Sequence, residues 1–285
     1  MDSLININID GIDKPILELL RYIEETIGWS ISSLQPHKEA LDIYMNSIKQ
    51  RNDIPEELKA ILIYNAKRDL KKLANQVESV KYGLSIIDGK PNTQNLNEEW
   101  LYAFIDGAGS AYQADLKLLW GKILKKQCES GSISKRLLMI IPQMDSQNAI
   151  AFTGLLSASM YSLTDDREKK YMPIIFSSNV EEGSPIRYDD YVELQSLGLI
   201  EFSFSPLGGY YETFPDGCSE IYYFDEIYTD LVVDNKLNVG SVILTRAGQE
   251  LASIIETEKI PDYISNICMP YLKNPHKSLD DMMNE

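Results

Sequence analysis

Of the side chains that most often shuttle protons or bind zinc, this chain of 285 residues has only two histidines, His37 and His276, and three cysteines, Cys128, Cys218 and Cys268. An odd number of widely spaced cysteines fits neither a disulfide framework nor a thiolate metal site, and points to a reducing cytoplasm. No metal ion or cofactor is expected. No apolar run approaches the roughly 20 residues that span a bilayer. The first residues, Met1-Asp-Ser-Leu-Ile-Asn-Ile-Asn-Ile-Asp10, lack the charged and apolar regions of a signal peptide. Phosphate loops and serine elbows are also missing. Gly107-Ala-Gly-Ser110 has neither the lysine nor the preceding strand of a phosphate loop, and no Gly-x-Ser-x-Gly occurs. Glu168-Lys-Lys170 has the spacing of a nuclease motif without its earlier acid, so Thr164 to Lys170 reads as a solvated linker.

Cations are scarce in one half only. The net charge is −16, yet residues 1–165 hold 18 Lys/Arg against 21 Asp/Glu, whereas residues 166–285 hold 9 against 22. Tyr188 to Asn235 carries eleven acids and no Lys or Arg. Such a surface repels a polyanion, because nucleic-acid affinity comes largely from cations displacing counterions. It suits a solvated exterior or a docking face for a basic protein.

What is present is helical periodicity. Leu116, Leu119, Trp120, Ile123 and Leu124 make one apolar stripe, with Lys117, Lys122, Lys125 and Lys126 on the other side. Asp13-Lys-Pro15 opens an earlier helix with Ile16, Leu19, Leu20, Ile23 and Ile27 inward, and Gly28 stops it. A helix from Pro36 to Lys49 follows. A long one launched by Asp53-Ile-Pro55 has Leu62, Ala66, Leu70, Leu73, Val77 and Val80 at spacings suited to an antiparallel pair or a short coiled coil, within one chain or between two. Asn97, Ser134 and Asp145 (or Ser146) are N-caps, and Gly107-Ala-Gly109 reads as a break. The helix after Asp145 presents Ala149, Phe152, Thr153 and Leu156 on one face.

After Thr164 the pattern changes. Met172–Phe176, Leu199–Ser205 and Val242–Thr245 read as strands, Pro206–Gly209 as a turn, and Tyr188–Leu197 and Arg246–Ile255 as helices. Pro261–Leu272 reads as a last helix before a frayed tail. The expected architecture is mainly α: an antiparallel helical domain, 1–164, then a smaller α+β domain, 165–285. Leu194-Gln-Ser-Leu-Gly-Leu-Ile200 and Leu244-Thr-Arg-Ala-Gly-Gln-Glu-Leu251 resemble pieces of winged-helix modules. Asp189, Asp190 and Glu193 on the would-be recognition helix argue against DNA reading.

Asn97-Glu-Glu-Trp100, Leu118-Leu-Trp-Gly-Lys-Ile-Leu124 and Gly131-Ser-Ile-Ser-Lys-Arg-Leu-Leu138 follow in order, then a helix with Ala-x-x-Phe. This is similar to the bacterial family called domain of unknown function 2806, over about residues 13–160. That family shows Trp, then Leu-Trp-Ala-x-Leu-Leu, then Pro-Gly-Ser-x-Ser-x-Arg-Thr-Leu. Gly121 for Ala, Glu129-Ser130 at the Pro, and Leu138 for Thr are departures. The resemblance implies a cytoplasmic bacterial protein without an assigned activity, some relatives being encoded near mobile or phage-related genes.

The expected function is a non-enzymatic interaction or regulatory protein, linked to phage defence or mobile elements. It would bind a basic protein partner through Tyr210, Tyr211, Tyr222, Tyr223, Asp225 and Glu226, because tyrosine supplies contact area and a polar tip at low entropy cost. Two alternatives stay open: nucleic-acid binding through Lys67, Arg68, Lys71 and Lys72, and an enzyme using carboxylates.

Overall fold

A computed structural model describes residues 13–31, 38–176, 183–204, 209–215 and 220–272. The start of the second helix at Pro36, the turn residues 206–208, both histidines, Cys218 and the tail lie outside them. The chain divides into two compact units, 1–142 and 143–285. The compositional break at Thr164 falls inside the second unit.

The first unit is helical: α1 (Lys14–Ile27), α2 (Lys38–Lys49), α3 (Glu56–Ile86), α4 (Glu98–Gly109), α5 (Ala114–Ser130) and α6 (Lys135–Ile140). α1 buries Ile16, Leu19, Leu20, Ile23 and Ile27, and Gly28 ends it with φ 77°, a left-handed conformation that glycine adopts without strain. Asp13 makes no side-chain cap bond, so the proline in the first turn sets that start. Asn97 accepts from the Trp100 amide (2.8 Å), and Ser134 accepts from that of Leu137. Both are caps of the expected kind.

At the centre, α5 is wedged between α3 and α4. Trp120 is buried, Phe104 meets its ring edge-on at 5.5 Å, and Trp100 stacks on Phe104 at 5.3 Å. The break expected at Gly107-Ala-Gly109 is where α4 ends, at Gly109, with Gly107 inside its last turn. A Cβ on Gly107 would sit 2.2 Å from the Trp120 ring, so the residue is small because an indole occupies that space. The same holds where α5 crosses α3. A Cβ on Gly121 would lie 2.4 Å from Tyr82 and 2.8 Å from the Gly83 nitrogen, and one on Gly83 would lie 2.9 Å from the Gly121 carbonyl. The backbones touch, so both faces of α5 are covered. The lysines expected on its solvent side are half-buried, and Lys117 pairs with Glu78 of α3 at 2.7 Å.

α3 is 31 residues long, about 46 Å at 1.5 Å per residue. Its C-terminal half is embedded: Asn75 donates to the Gly109 carbonyl (3.0 Å), and Gln76 donates to that of Ile105 (3.1 Å), capping the end of α4. Buried Gln127 ties two loops together, donating to the Asn95 carbonyl and accepting from the Ile133 amide. Cys128 is buried with a free thiol, which burial and then Glu129 push up to about 12.

The second unit opens with α7 (Ser146–Ser157). Asp145 and Asn148 form a capping box there, each side chain bonding the other's backbone amide. Its buried face is Asn148, Ala151, Phe152, Leu155 and Leu156, so Ala149 and Thr153 of the expected face sit at its margin. Then come β1 (Ser159–Leu163), β2 (Lys169–Pro173), α8 (Tyr188–Ser196), β3 (Ile200–Phe202), β4 (Tyr210–Thr213), β5 (Ile221–Tyr223) and β6 (Glu226–Tyr228). β7 (Lys236–Gly240), β8 (Val242–Leu244), α9 (Arg246–Ala252) and α10 (Met269–Leu272), reached through a π-helical stretch, complete it. The segment read as a solvated linker is the turn of the β1–β2 hairpin, and its two lysines belong to β2.

One antiparallel sheet has the order β2-β1-β5-β6, and two further pairs are β3-β8 and β4-β7. β3 therefore finds its partner some forty residues on, and the chain between them folds out as β4, the β5–β6 hairpin and β7. Asp234 (φ 50°) and Asn235 (φ 60°) turn the chain into β7, and Val233 and Lys236 exchange both backbone bonds at 2.9 Å. Two successive left-handed residues are what a two-residue hairpin turn of this hand requires, and Asp and Asn tolerate it best after glycine.

Replacing Gly121 by Ala forces α3 and α5 apart. Urea unfolding is expected to show a loss of about 1–3 kcal/mol, well above the effect of alanine at an exposed helical position.

Candidate functional site

The alternation of a strand decides which tyrosines face out, because successive side chains point to opposite faces. On β5, Ile221 and Tyr223 are buried and Tyr222 between them is half-exposed. Tyr223 is therefore a core residue. Its hydroxyl donates to the Ser157 carbonyl (2.8 Å) and accepts from the Ile260 amide (3.1 Å), and burial raises its pKa to about 12. Tyr222 faces outward and stacks on Tyr161 at 5.2 Å with the rings 12° from parallel. Tyr161 also meets Tyr171 at 5.9 Å, and the Lys169 ammonium lies 4.3 Å from the centre of the Tyr161 ring.

These contacts follow the strand register. Tyr171 pairs with Tyr161 across β2 and β1, Tyr161 with Tyr222 across β1 and β5, and Tyr222 with Ile227 across β5 and β6. The result is one row of apolar and aromatic groups across four strands, ending at an exposed Ile227 on the edge. Cross-strand neighbours of this kind stabilise a sheet. Tyr161 and Tyr171 were not among the expected residues. Their only signal was the alternation of buried and outward positions in Ser159-Met-Tyr-Ser-Leu163, which runs on from a helix without a glycine or proline to mark the change.

Tyr210 and Tyr211 lie elsewhere, on β4 against β7, with a register shift between them. Tyr211 is 50 % exposed and Tyr210 is half-buried. The nearby Glu212 carboxylate pairs with Lys170 of β2. The expected set is thus split between two strand pairs, four tyrosines contributing two outward rings, a half-buried one and a core one.

Asp225 and Glu226 stand at the β5–β6 turn, which Phe224 enters with φ 54°. A side chain larger than glycine is strained in that region by about 1–2 kcal/mol, and the Phe224 ring resting edge-on against Tyr223 at 5.1 Å offsets part of it. Both carboxylates meet Lys259, Glu226 at 2.6 Å and Asp225 at 3.3 Å. The Lys259 ammonium and the Tyr228 hydroxyl hold Glu226 below the ordinary carboxylate range. Asp225 is lowered first by its own backbone amide and then by Lys259. A cation from beyond the acid-rich stretch thus neutralises part of its tip.

The four cations of the nucleic-acid alternative are all exposed on α3. Arg68 already pairs with Asp69 (3.1 Å), and Lys71 lies over the Tyr112 ring at 4.5 Å. Convergent acids suited to catalysis are not gathered in the groove between α2 and α3. That groove has a volume of about 550 Å³, is open to solvent, and holds Asp69 as its one carboxylate among Leu41, Tyr44, Leu70 and Leu73. Among the described residues no group of three or more His, Cys, Asp or Glu is placed to hold a metal ion.

The family model of DUF2806, a protein of unknown function, matches residues 63–268, and the chain belongs to that family. The match begins within α3 and runs to the end of the π-helical stretch, so it includes the sheet and its tyrosines as well as the helical core. No curated protein and no solved structure matches the chain. No described helix is long and apolar enough to cross a membrane.

Tyr223→Phe removes a hydroxyl that serves two part-buried backbone groups. It should cost about 1–3 kcal/mol in chemical unfolding, whereas Tyr222→Phe should change stability by less than about 0.5 kcal/mol. In Lys259→Met, the carboxyl of Glu226 should titrate closer to the ordinary value by carbon NMR. The wild-type pair is intact above the unfolded carboxylate range and is lost as pH falls through the depressed folded value.

Proposed function

We propose that this protein is a non-enzymatic binding module that takes a basic protein partner on the outer face of its C-terminal sheet. The observation that carries the reading is the row Tyr171, Tyr161, Tyr222 and Ile227, which lays aromatic surface across four strands beside Glu220, Asp225 and Glu226. Rings fixed by stacking lose little entropy on binding, and the carboxylates around them favour cationic partners and repel polyanions. Tyr211 and Tyr210 on β4 extend the same reading to a neighbouring strand pair. Tyr223 supports the face from beneath and is not part of it.

We read residues 188–252 as winged-helix-like on the same footing. α8 leads to β3, a ribbon follows, and β8 leads to α9. Asp189 and Glu193, exposed on α8, turn such a module away from DNA, whereas Asp190 is buried and accepts from the Arg187 amide at 3.0 Å. A cytoplasmic home fits Cys128 and Cys268, both buried with free thiols. A role in phage defence or on a mobile element rests on the likeness of sequence alone and is attached to the proposal on that basis.

Affinity capture from a bacterial extract tests the reading, with wild type compared with a Tyr211→Ser, Tyr222→Ser, Asp225→Asn variant whose fold is checked by circular dichroism. The expected result is at least one strongly basic protein that is retained by wild type, released by salt and lost from the variant. Identical captured sets would overturn the proposal, and capture of nucleic acid by the four α3 cations at low salt would favour the alternative.

A further inference from the structure

Among the described residues the long helix α3 is covered on more than one side along its second half, and along its first half on the side turned to α2. The stripe Asn75, Ser79, Gly83 is buried under α4 and α5. Counted back toward the N-terminus at steps of three and four, the same face carries Arg68, Tyr64, Ile61 and Glu57. The face opposite, with Lys59, Ala66, Leu70 and Leu73, is the one turned to α2. Ile61 is 54 % exposed and Tyr64 66 %, and Leu58 on their flank is exposed as well. Two large apolar groups one turn apart, pointing away from α2, which among the described residues is what covers this half, are an interface pattern.

The charges around them identify the occupant. Glu57 lies one turn before Ile61, and Arg68 lies one turn after Tyr64, so the stripe reads acid, apolar, apolar, base. Turned end for end about a two-fold axis between Ile61 and Tyr64, it is complementary to itself. Glu57 of each copy meets Arg68 of the other, and Ile61 of each meets Tyr64 of the other. A two-fold interface needs one patch that matches its own reverse, and this patch does. The Arg68–Asp69 contact is an exposed pair between sequence neighbours and holds Arg68 only weakly.

We propose that the first half of α3 is the dimer interface of this protein, occupied by the same helix of a second copy running antiparallel. It is independent of the C-terminal face and of any partner bound there. The area is small, so a dissociation constant on the order of 10 µM is expected.

Sedimentation equilibrium of the full chain, taken up to roughly 200 µM, is the test. Wild type is expected to dimerise, and Ile61→Lys to weaken the dimer at least about tenfold with an unchanged helical spectrum, the position being exposed. Glu57→Arg alone and Arg68→Glu alone each set like charges opposite one another at both ends of the interface and should weaken it about tenfold. The two together should return to within about threefold of wild type. The two positions are three turns apart on one helix, too far to repair each other within a chain, so that rescue reports contact between chains. A wild type that stays monomeric throughout, a dimer indifferent to Ile61→Lys, or two charge reversals that simply add would each overturn the proposal.

Discussion

Everything in the helical unit depends on two backbones being allowed to touch. Gly83 and Gly121 let α3 and α5 cross with the nitrogen of one almost against the missing side chain of the other. That approach brings Trp120 to the far side of α5, where Gly107 leaves room for its ring. Stacking of Trp100 on Phe104 and the bond from the Trp100 indole to the Ile133 carbonyl then fix α4 and the loop before α6. Packing at interior density transmits any added volume outward. A single methyl at the crossing would therefore be felt two helices away.

How much of this was legible in the sequence varies with whether the signal is local. The buried face of α1, the left-handed Gly28, and the caps at Asn97, Ser134 and Asp145 are local, and each stands where the sequence places it. Gly107-Ala-Gly109 reads as a helix break and α4 does end at Gly109, but the sequence does not reveal that Gly107 is also the space the Trp120 ring fills. The β1–β2 hairpin is the larger omission. Its strands follow α7 with no glycine or proline between, and what makes them strands is pairing with each other and with β5, which is tertiary context.

The candidate face shows the same division. Composition marks the acid-rich stretch correctly as a run of eleven acids without a cation. It does not reveal that Lys259 reaches back to two of them, or that Lys169 covers a ring of the tyrosine row. Adjacent tyrosines also mislead a linear count. Tyr222 and Tyr223 share a dipeptide and lie on opposite sides of a sheet, one half-exposed and stacked on Tyr161 and the other buried and bonded to backbone. The row that matters is drawn from β2, β1 and β5, and no window of sequence contains it.

The two buried thiols carry one more consequence. Cys128 belongs to the helical unit and Cys268 to the sheet-bearing one, and burial pushes both up to about 12, so neither holds an appreciable fraction of thiolate at neutral pH. Alkylating reagents attack the thiolate, and so each sulfur is protected for as long as its own unit stays closed. Among the described residues, each unit thus carries an intrinsic clock, whose labelling rate records local opening events that a single melting curve would average together.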